Sequence, residues 1–335
     1  MSWKNTLKKA GLLTSIAALG SFGLVAQTQA SIYARSYLDV DNLTISTDNA
    51  ENNPTAGVFN FSLTNTAFLN GVAGSLEGAI CSGTTASNNC GAGPTLDAAQ
   101  SHVGSPVGEN IFTPFNGPGG LEYSRADSII NTAQLVGGAP SDTQNIAESE
   151  LQTGISASAN SVILSTTNLS FTFTVGPNTT LNLAFDAIVD MLTEINDATA
   201  LNAAAQSVVS TQFRLQLDNS NSFVEWSPDL FGSCGDVSTG AGGGVSCIST
   251  TSAADLNTTI GVTNVPFSTA NNVGAGGFLG RFLVTTAGSY TLTLGATTST
   301  LLTRTPTPIP EPASLLLLGT GLMGLGFARR RKVAA

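Results

Sequence analysis

The chain has 335 residues, of which 41% are hydrophobic and only 10% are charged, whereas an ordinary soluble domain carries roughly 25% charged residues. Its 36 glycines follow no three-residue period, which excludes collagen, and plentiful apolar residues with sparse charge exclude an acidic disordered polymer. Residues 31–304 contain five arginines, no lysine and 21 of the 22 acids, a formal charge of −16. This charge excludes nucleic acid as a partner and argues against binding to anionic lipid.

The first 30 residues have the three parts of a secretory signal peptide. Lys4, Lys8 and Lys9 form a basic start, and residues 10–26 are apolar. Small residues then lead to Ala30, after which we predict cleavage. The alternative is an uncleaved membrane anchor, but the small-residue exit and the polar sequence after it favour cleavage. Export through the Sec translocon is therefore expected.

The folded body is predicted to span residues 31–304 and to begin with strands. Apolar and polar residues alternate at 37–45 and 58–63, with the period of a half-buried strand. The clearest signal lies at 168–189, where two alternating runs flank a Gly-Pro-Asn turn at 176–178. We predict a β-hairpin there.

Two segments of the body have sequence patterns that differ from that of a simple strand. Residues 71–154 contain many Gly-Pro, Gly-Gly and Asn-Gly breakers and are predicted to form a loop-rich insertion, with one short helix at 124–135. Residues 185–195 also fit helical spacing. The alternation that starts at Leu181 continues through them without a break, however, and favours a strand.

Further strands are predicted at residues 213–217, 223–226, 280–284 and 290–294. Many short strands separated by Gly, Asn and Thr turns are typical of two antiparallel sheets packed face to face. We therefore predict an all-β fold, an antiparallel, jelly-roll-like β-sandwich with long loops. A signal helix precedes this body and a transmembrane helix follows it.

The four cysteines form two local pairs, Cys81 with Cys90 and Cys234 with Cys247. Export permits disulfides, and four cysteines allow three connectivities. We expect the local pairs, because each brackets a loop of Gly, Ser, Thr and Asn. A metal site is the alternative, but neither pair has CxxC spacing and the only histidine is His102.

The C-terminal end has three consecutive parts. Residues 305–309 form a Pro/Thr spacer that proline stiffens, and the motif Pro310, Glu311 and Pro312 follows. Residues 313–328 are apolar and rich in glycine. As a helix they span about 24 Å, less than the hydrocarbon core of roughly 30 Å. The last part is a basic cluster typical of a stop-transfer signal: Arg329, Arg330, Arg331 and Lys332.

This order of motif, apolar span and basic cluster over residues 310–332 resembles the PEP-CTERM sorting signal, which we assign to residues 310–335. The resemblance implies that an exosortase, a membrane protease-transpeptidase, processes the tail. It also implies a Gram-negative bacterium that makes exopolysaccharide and biofilm. A plain single-pass anchor is the alternative, which the short apolar span disfavours. We expect an exported protein that its C-terminal helix holds transiently in the inner membrane before it reaches the cell surface or the exterior.

The body resembles, more loosely, one group of exosortase-dependent surface proteins. The resemblance rests on sequence patterns at residues 37–42, 123–127, 146–148, 168–189 and 223–228. It implies a β fold and a surface location, and it carries no active site.

Residue types that perform catalysis are sparse in the body. The absence of lysine excludes P-loop, Schiff-base and PLP chemistry. A Ser/His/Asp site would need His102, with Asp97, Ser101 and Ser105 nearby, but the segment has no nucleophile elbow. We expect His102 to be an exposed loop residue and predict that the protein is not an enzyme.

Two sets of acidic residues could bind a ligand. Asp186, Asp190 and Glu194 share one face of a strand or a helix and could bind a cation or a glycan hydroxyl, although a solvated sheet face is the simpler interpretation. The second set resembles a calcium segment in composition but lacks EF-hand spacing: Asp39, Asp41, Asn42, Asp48, Asn49 and Glu51. We predict no metal and no cofactor, with calcium as the alternative.

These observations predict an exported surface or matrix protein with a structural or interaction role, processed by exosortase and associated with exopolysaccharide or biofilm. The alternative is a carbohydrate-binding, adhesin-like module in which Trp226 stacks on sugars, although Trp226 is expected in the core. A secreted hydrolase is a third hypothesis, and no motif favours it.

Overall fold

The computed structural model describes residues 31–48, 58–74, 77–84, 87–88, 95–104, 111–115, 121–132, 141–152, 156–165, 173–196 and 202–305. These residues form 18 strands, and none of them lies in a helix. The strands are β1 (Ser31–Thr47), β2 (Val58–Leu69), β3 (Val72–Ala73), β4 (Glu77–Thr84), β5 (Ser87–Asn88), β6 (Thr95–Gly104), β7 (Tyr123–Thr132), β8 (Ser141–Leu151), β9 (Ser156–Ser165), β10 (Phe173–Val175), β11 (Thr179–Asn196), β12 (Ala203–Leu217), β13 (Phe223–Trp226), β14 (Val237–Thr239), β15 (Val245–Thr251), β16 (Thr258–Thr263), β17 (Ser268–Val284) and β18 (Gly288–Arg304).

The strands form two antiparallel sheets that curl into a half-barrel. The small sheet has the order β15-β17-β11-β1-β8-β7-β6. The large sheet has the order β14-β13-β12-β18-β9-β2-β4-β5, with β10 beside β18, β16 beside β12 and β3 beside β2. The predicted all-β fold with antiparallel sheets is confirmed.

Strand alternation determines which side chains enter the core. Along β11 the odd-numbered residues are buried, and the even-numbered ones are half-buried or exposed, as the two-residue period of a strand requires. The segment 185–195, for which helix was the alternative, is strand throughout. The other strands predicted from alternation are also confirmed, at residues 37–45, 58–63, 213–217, 223–226, 280–284 and 290–294.

The predicted hairpin at 168–189 is wrong, although its turn is present. Asn178 has a φ of 59° at that turn. β10 pairs with β18 of the large sheet, whereas β11 pairs with β1 and β17 of the small sheet. The turn therefore carries the chain from one sheet to the other. Alternation shows that both segments are strands, but it holds no information on which neighbour each one pairs with.

The segment 71–154 is not predominantly loop, and the helix predicted at 124–135 is wrong. The described part of this segment contains β3 to β8, and β7 occupies Tyr123–Thr132. Both faces of β7 are buried: Ala126 and Ile130 face the large sheet, and Arg125 on the opposite face is also buried. Burial on both faces weakens the two-residue alternation, which explains why the segment fits a helical pattern.

An aromatic cluster joins the two sheets. Phe185 of β11 stacks on Phe278 of β17 with ring centroids 4.8 Å apart. From the large sheet, Phe213 lies 4.9 Å from Phe185, and Trp226 lies 5.7 Å from it. Such pairs contribute roughly 0.5–1.5 kcal/mol each beyond their buried area. They bind β11 and β17 to β12 and β13.

A belt of small polar residues divides the core into two apolar clusters. One cluster contains Leu38, Met191 and Val209, and the other contains Ala34, Ile195 and Ala205. The residue between each of these pairs along the strand is a buried serine or threonine. The belt consists of Ser36, Thr193, Ser207, Thr298 and Thr300, with Ser149 on β8.

Hydrogen bonds of the belt cross between the sheets. The Ser36 hydroxyl donates to the Val208 carbonyl at 2.6 Å, and the Ser207 hydroxyl donates to the Arg35 carbonyl at 2.8 Å. Ser149 and Thr300 join their hydroxyls at 2.9 Å. Buried hydroxyls with partners avoid the free energy cost of an unsatisfied polar group.

Candidate functional site

The outward face of the small sheet carries the densest set of ionisable residues in the described part of the chain. Alternation along β1 places Tyr33, Arg35, Tyr37, Asp39 and Asp41 on this face. Antiparallel pairing adds residues of β7, β8 and β11 at the same levels. We refer to this surface as the polar face.

A buried ion pair lies at one end of the polar face. The Arg125 guanidinium lies 2.6 Å from the Glu148 carboxylate, and both side chains are almost fully inaccessible. The Tyr33 hydroxyl donates to the same carboxylate. Burial raises the pKa of the Tyr33 phenol well above its usual range, and the Glu148 charge raises it further.

A short segment at 111–115 covers this ion pair. The Arg125 guanidinium donates to the carbonyls of Ile111 at 2.6 Å and Thr113 at 2.9 Å. The backbone N–H of Phe115 donates to Glu148 at 3.0 Å, and its ring lies 3.8 Å from the guanidinium carbon. The ion pair therefore fixes a covering segment to the sheet, which indicates a structural role.

The acidic face predicted for β11 is confirmed, and the charge of its central residue, Asp190, is compensated by Arg35. Asp186, Asp190 and Glu194 all lie on the outward side of the strand. Asp190 accepts two hydrogen bonds from Arg35, at 2.8 and 2.9 Å. Burial raises the pKa of Glu194. Asp186 lies opposite Asp41 in the β1–β11 register, close to further carboxylates.

Those carboxylates form an acidic group at the far end of the polar face. It consists of Asp39, Asp41, Asp142 and Asp186. The Asp39 carboxylate accepts from Tyr37 at 2.9 Å and from Gln144 at 3.2 Å. Burial raises the pKa of Asp39 and of Asp41, and the charge of Asp142 raises both further.

Asn42 bridges two members of the acidic group. It sits where the β1–β11 register shifts, with a φ of 57°. Its backbone N–H donates to Asp142 at 2.9 Å and its side-chain amide donates to Asp186 at 3.2 Å. An asparagine tolerates this left-handed conformation better than most residues.

Of the other calcium candidates, Asp48 pairs with Arg281 at 2.9 Å, and Asn49 and Glu51 lie outside the described residues.

A shallow depression of about 350 Å³ adjoins the acidic group. Asn42 and Asp186 line it together with Ala184 and Gly277, whose small size leaves the space open. Across the described part of the chain, no group of three or more His, Cys, Asp or Glu residues has an arrangement that could hold a metal ion.

The histidine does not assemble a catalytic triad with Ser101. His102 lies in strand β6 and is half-buried, so the expectation of an exposed loop residue is wrong. Ser101 and His102 are successive strand residues and therefore point to opposite faces. The β6–β7 register places His102 opposite Arg125. Nothing is described of the Asp97 side chain, and Ser105 lies outside the described residues.

The remaining predictions for individual side chains have mixed outcomes. Trp226 is fully buried and donates to Asp236 at 2.6 Å, which confirms a core position and removes it as a sugar-stacking platform. The Cys234–Cys247 disulfide is present, with the two Cα atoms 6.0 Å apart. Cys81 lies in β4, but its side chain is not described and Cys90 lies outside the described residues, so the predicted Cys81–Cys90 pair stays a prediction.

The described part of the chain ends at Thr305, at the start of the predicted tail. The Thr305 N–H donates to the Asn202 carbonyl at 3.0 Å, and residues after 305 lie outside the described part of the chain. The predicted cleavage site at Ala30, the motif Pro310, Glu311 and Pro312, and the basic cluster at 329–332 therefore lie outside it too. No helix within the described residues is long and apolar enough to cross a membrane.

Comparison with known families matches residues 308–332 to the PEP-CTERM protein-sorting motif. The chain carries this sorting motif. It marks an exported, surface-directed protein that an exosortase processes. No curated protein and no solved structure gives a significant match to the chain.

Sequence analysis missed several residues of the polar face. Tyr33, Arg125, Glu148 and Asp142 were given no role in a site. Arg125 and Glu148 belong to the patterns at 123–127 and 146–148 that carry the family resemblance, but with Asp142 they lie in the segment 71–154, which was predicted to be a loop-rich insertion with one short helix. One signal was available: Tyr33, Arg35, Tyr37, Asp39 and Asp41 occupy every second position, which places them on one face of any strand.

Proposed function

We propose that this protein is an exported surface or matrix component, and that its body is the cargo of the sorting system and not a catalyst. The signal peptide directs the chain through the Sec translocon. The apolar tail then holds it in the inner membrane of a Gram-negative bacterium, with residues 329–332 on the cytoplasmic side. Exosortase cleaves near Pro310, Glu311 and Pro312, and the body is released or transferred to the surface.

The sorting motif at 308–332 carries this proposal. The last described strand, β18, ends at Arg304, and the matched motif begins at residue 308. Cleavage within the motif therefore leaves every described strand intact. An association with exopolysaccharide or biofilm belongs to the same proposal, supported by the resemblance of the tail to a sorting signal of bacteria that make exopolysaccharide.

Mass spectrometry of the mature protein tests the processing step. In cells with an active exosortase, we expect a C-terminus near residue 312, with the tail absent. A Glu311→Ala variant serves as the matched control and should keep the complete tail. A mature chain that still reaches Ala335 in the presence of the enzyme would contradict the proposal.

A carbohydrate-binding, adhesin-like role is the second candidate. The depression beside Asp186 favours it, because a carboxylate and the Asn42 amide are groups that hydrogen-bond sugar hydroxyls. A glycan array with the purified protein tests this role, and an Asp186→Ala variant should lose any signal. A blank array for the unmodified protein would exclude it.

A further inference from the structure

One end of the β-sandwich carries both the exit of the tail and exposed apolar tips. The Thr305 N–H bonds to Asn202 and the Asn264 N–H bonds to the Ala203 carbonyl at 2.8 Å, so the connection at 264–267 lies beside the exit. The hairpin at 70–72 lies at the same level, because Leu69 pairs with Ala157, which pairs with Leu302. We call residues 70–72 and 264–267 the tail-proximal tip.

The tail-proximal tip presents apolar side chains to solvent. Phe267 is 70% exposed, Val265 is 55% exposed and Val72 is 60% exposed. The seven residues of the tip include no charged residue. The two segments lie at the same end of the large sheet, on either side of β12, β18 and β9. Exposed apolar groups that share one end of a molecule are typical of contact with a partner or a membrane.

The backbone at Phe267 adds a second observation. Its φ is 51°, a left-handed conformation that is unfavourable for a bulky side chain. Asparagine or glycine would fit this turn with less strain. A strained, exposed aromatic residue is retained at a cost in stability, which points to a function for the ring itself.

The length of chain between the body and the apolar span identifies the partner. Seven residues, 306–312, separate Thr305 from the apolar span, and an extended chain of that length reaches at most about 25 Å. Whenever the tail is in a membrane, the tail exit lies within about 25 Å of the bilayer surface, so the tip at this end of the sheet is the part of the body within reach of the lipid.

We propose that the tail-proximal tip contacts the lipid bilayer and seats the body on the membrane while the tail is held there. Phe267 and Val265 enter the headgroup region, where apolar and aromatic side chains bind peripherally. The seated body holds the cleavage motif at a defined height above the surface. This inference rests on the proposed function, because it needs the tail to enter a membrane.

Tryptophan reporters in the mature chain with its tail test the contact. This chain begins at Ser31, as cleavage after Ala30 leaves it, and is reconstituted through its tail into phosphatidylcholine vesicles that contain acyl-brominated lipid. Phe267→Trp and Val265→Trp each report on the tip, so the test survives if one variant folds poorly. Phe231→Trp is the matched control, because Phe231 is 84% exposed but lies in the connection between β13 and β14, away from the tail exit. Phe327→Trp reports separately on insertion of the tail.

Four outcomes are distinguishable. Quenching of the tip reporters several-fold above that of the Phe231→Trp control, with the tail reporter also quenched, supports the proposal. A quenched tail with tip reporters no more quenched than the control overturns it and leaves the proposed function intact. An unquenched tail contradicts the membrane stage of the proposed function, and this inference fails with it. A blue shift of the tip reporters that depends on protein concentration and not on lipid assigns the tip to a second copy of the chain and also overturns the proposal.

Discussion

At the scale of single residues, the polar face holds one charge pair that the fold depends on. Glu148 is fully buried against Arg125 and also accepts from Tyr33 and from the Phe115 backbone. Glu148→Gln leaves the buried guanidinium without a compensating charge, which costs roughly 3–5 kcal/mol. We expect a correspondingly large fall in the free energy of unfolding, measured by chemical denaturation.

The matched control for this prediction is Glu225→Gln. Glu225 lies 3.6 Å from Arg214 and both side chains are partly exposed, so its loss should cost about 0–1 kcal/mol. Equal losses of unfolding free energy in the two variants would show that burial does not make the Arg125–Glu148 pair more stabilising than the partly exposed pair.

The acidic group predicts a pH dependence of stability. Burial, and then the charge of Asp142, raises the pKa of Asp41 in the folded protein. The folded state therefore binds this proton more tightly than the unfolded state, and the ionised form destabilises the fold at neutral pH. Asp41→Asn should raise the melting temperature at pH 7. That gain should shrink as the pH falls through the raised pKa toward the ordinary value of about 3.9.

Asp48 provides a control of the opposite sign. Hydrogen bonds from Asn182, together with the charge of Arg281, lower its pKa. Asp48→Asn should therefore lower the melting temperature at pH 7, and the loss should disappear at low pH. If both variants changed the melting temperature in the same direction at pH 7, the opposite pKa shifts of Asp41 and Asp48 would be contradicted.

At the scale of elements, close packing of a loop on β17 depends on glycine. A Cβ at Gly274 would lie 2.6 Å from the Cβ of Ala254 and 3.3 Å from Val189. Gly274→Val should therefore force the loop away and destabilise the fold by about 1–3 kcal/mol. Thermal unfolding checks this prediction.

Gly295 on β18 is the matched control, because a Cβ there meets nothing within 4 Å. Gly295→Ala should leave stability unchanged or raise it by roughly 0.5 kcal/mol, since alanine restricts the unfolded chain. If both glycine substitutions had the same effect, the loss would come from strand propensity and not from contact with Ala254.

Individual strands were largely predictable, because burial on one face leaves a two-residue alternation in the sequence. β11 is the clearest case, and its outward Asp186, Asp190 and Glu194 were placed correctly on one face. β7 was missed because both of its faces are buried, one against the large sheet and one beneath the segment at 111–115. The alternation of apolar and polar residues within β7 holds no information about a segment from elsewhere in the chain that covers the strand.

At the scale of the whole molecule, sheet membership depends on contacts between distant residues. β1 pairs with β11 and β8, more than 90 residues away, and β10 and β11 separate into different sheets after the three-residue turn at 176–178. Neither fact has a local sequence signal. The sorting tail was predictable for the opposite reason, since its motif, apolar span and basic cluster follow one another in 25 residues.

The polar belt between the two apolar clusters predicts how the sheets are held together. Ser36 and Ser207 each donate across the gap to a backbone carbonyl of the other sheet. A buried hydrogen bond contributes about 1 kcal/mol, so the double variant Ser36→Ala, Ser207→Ala should lose about 2 kcal/mol by chemical denaturation. Ser210→Ala on the same strand is the control, because Ser210 is exposed and bonds only to Asn257. A double variant no less stable than this control would mean that apolar packing alone joins the sheets.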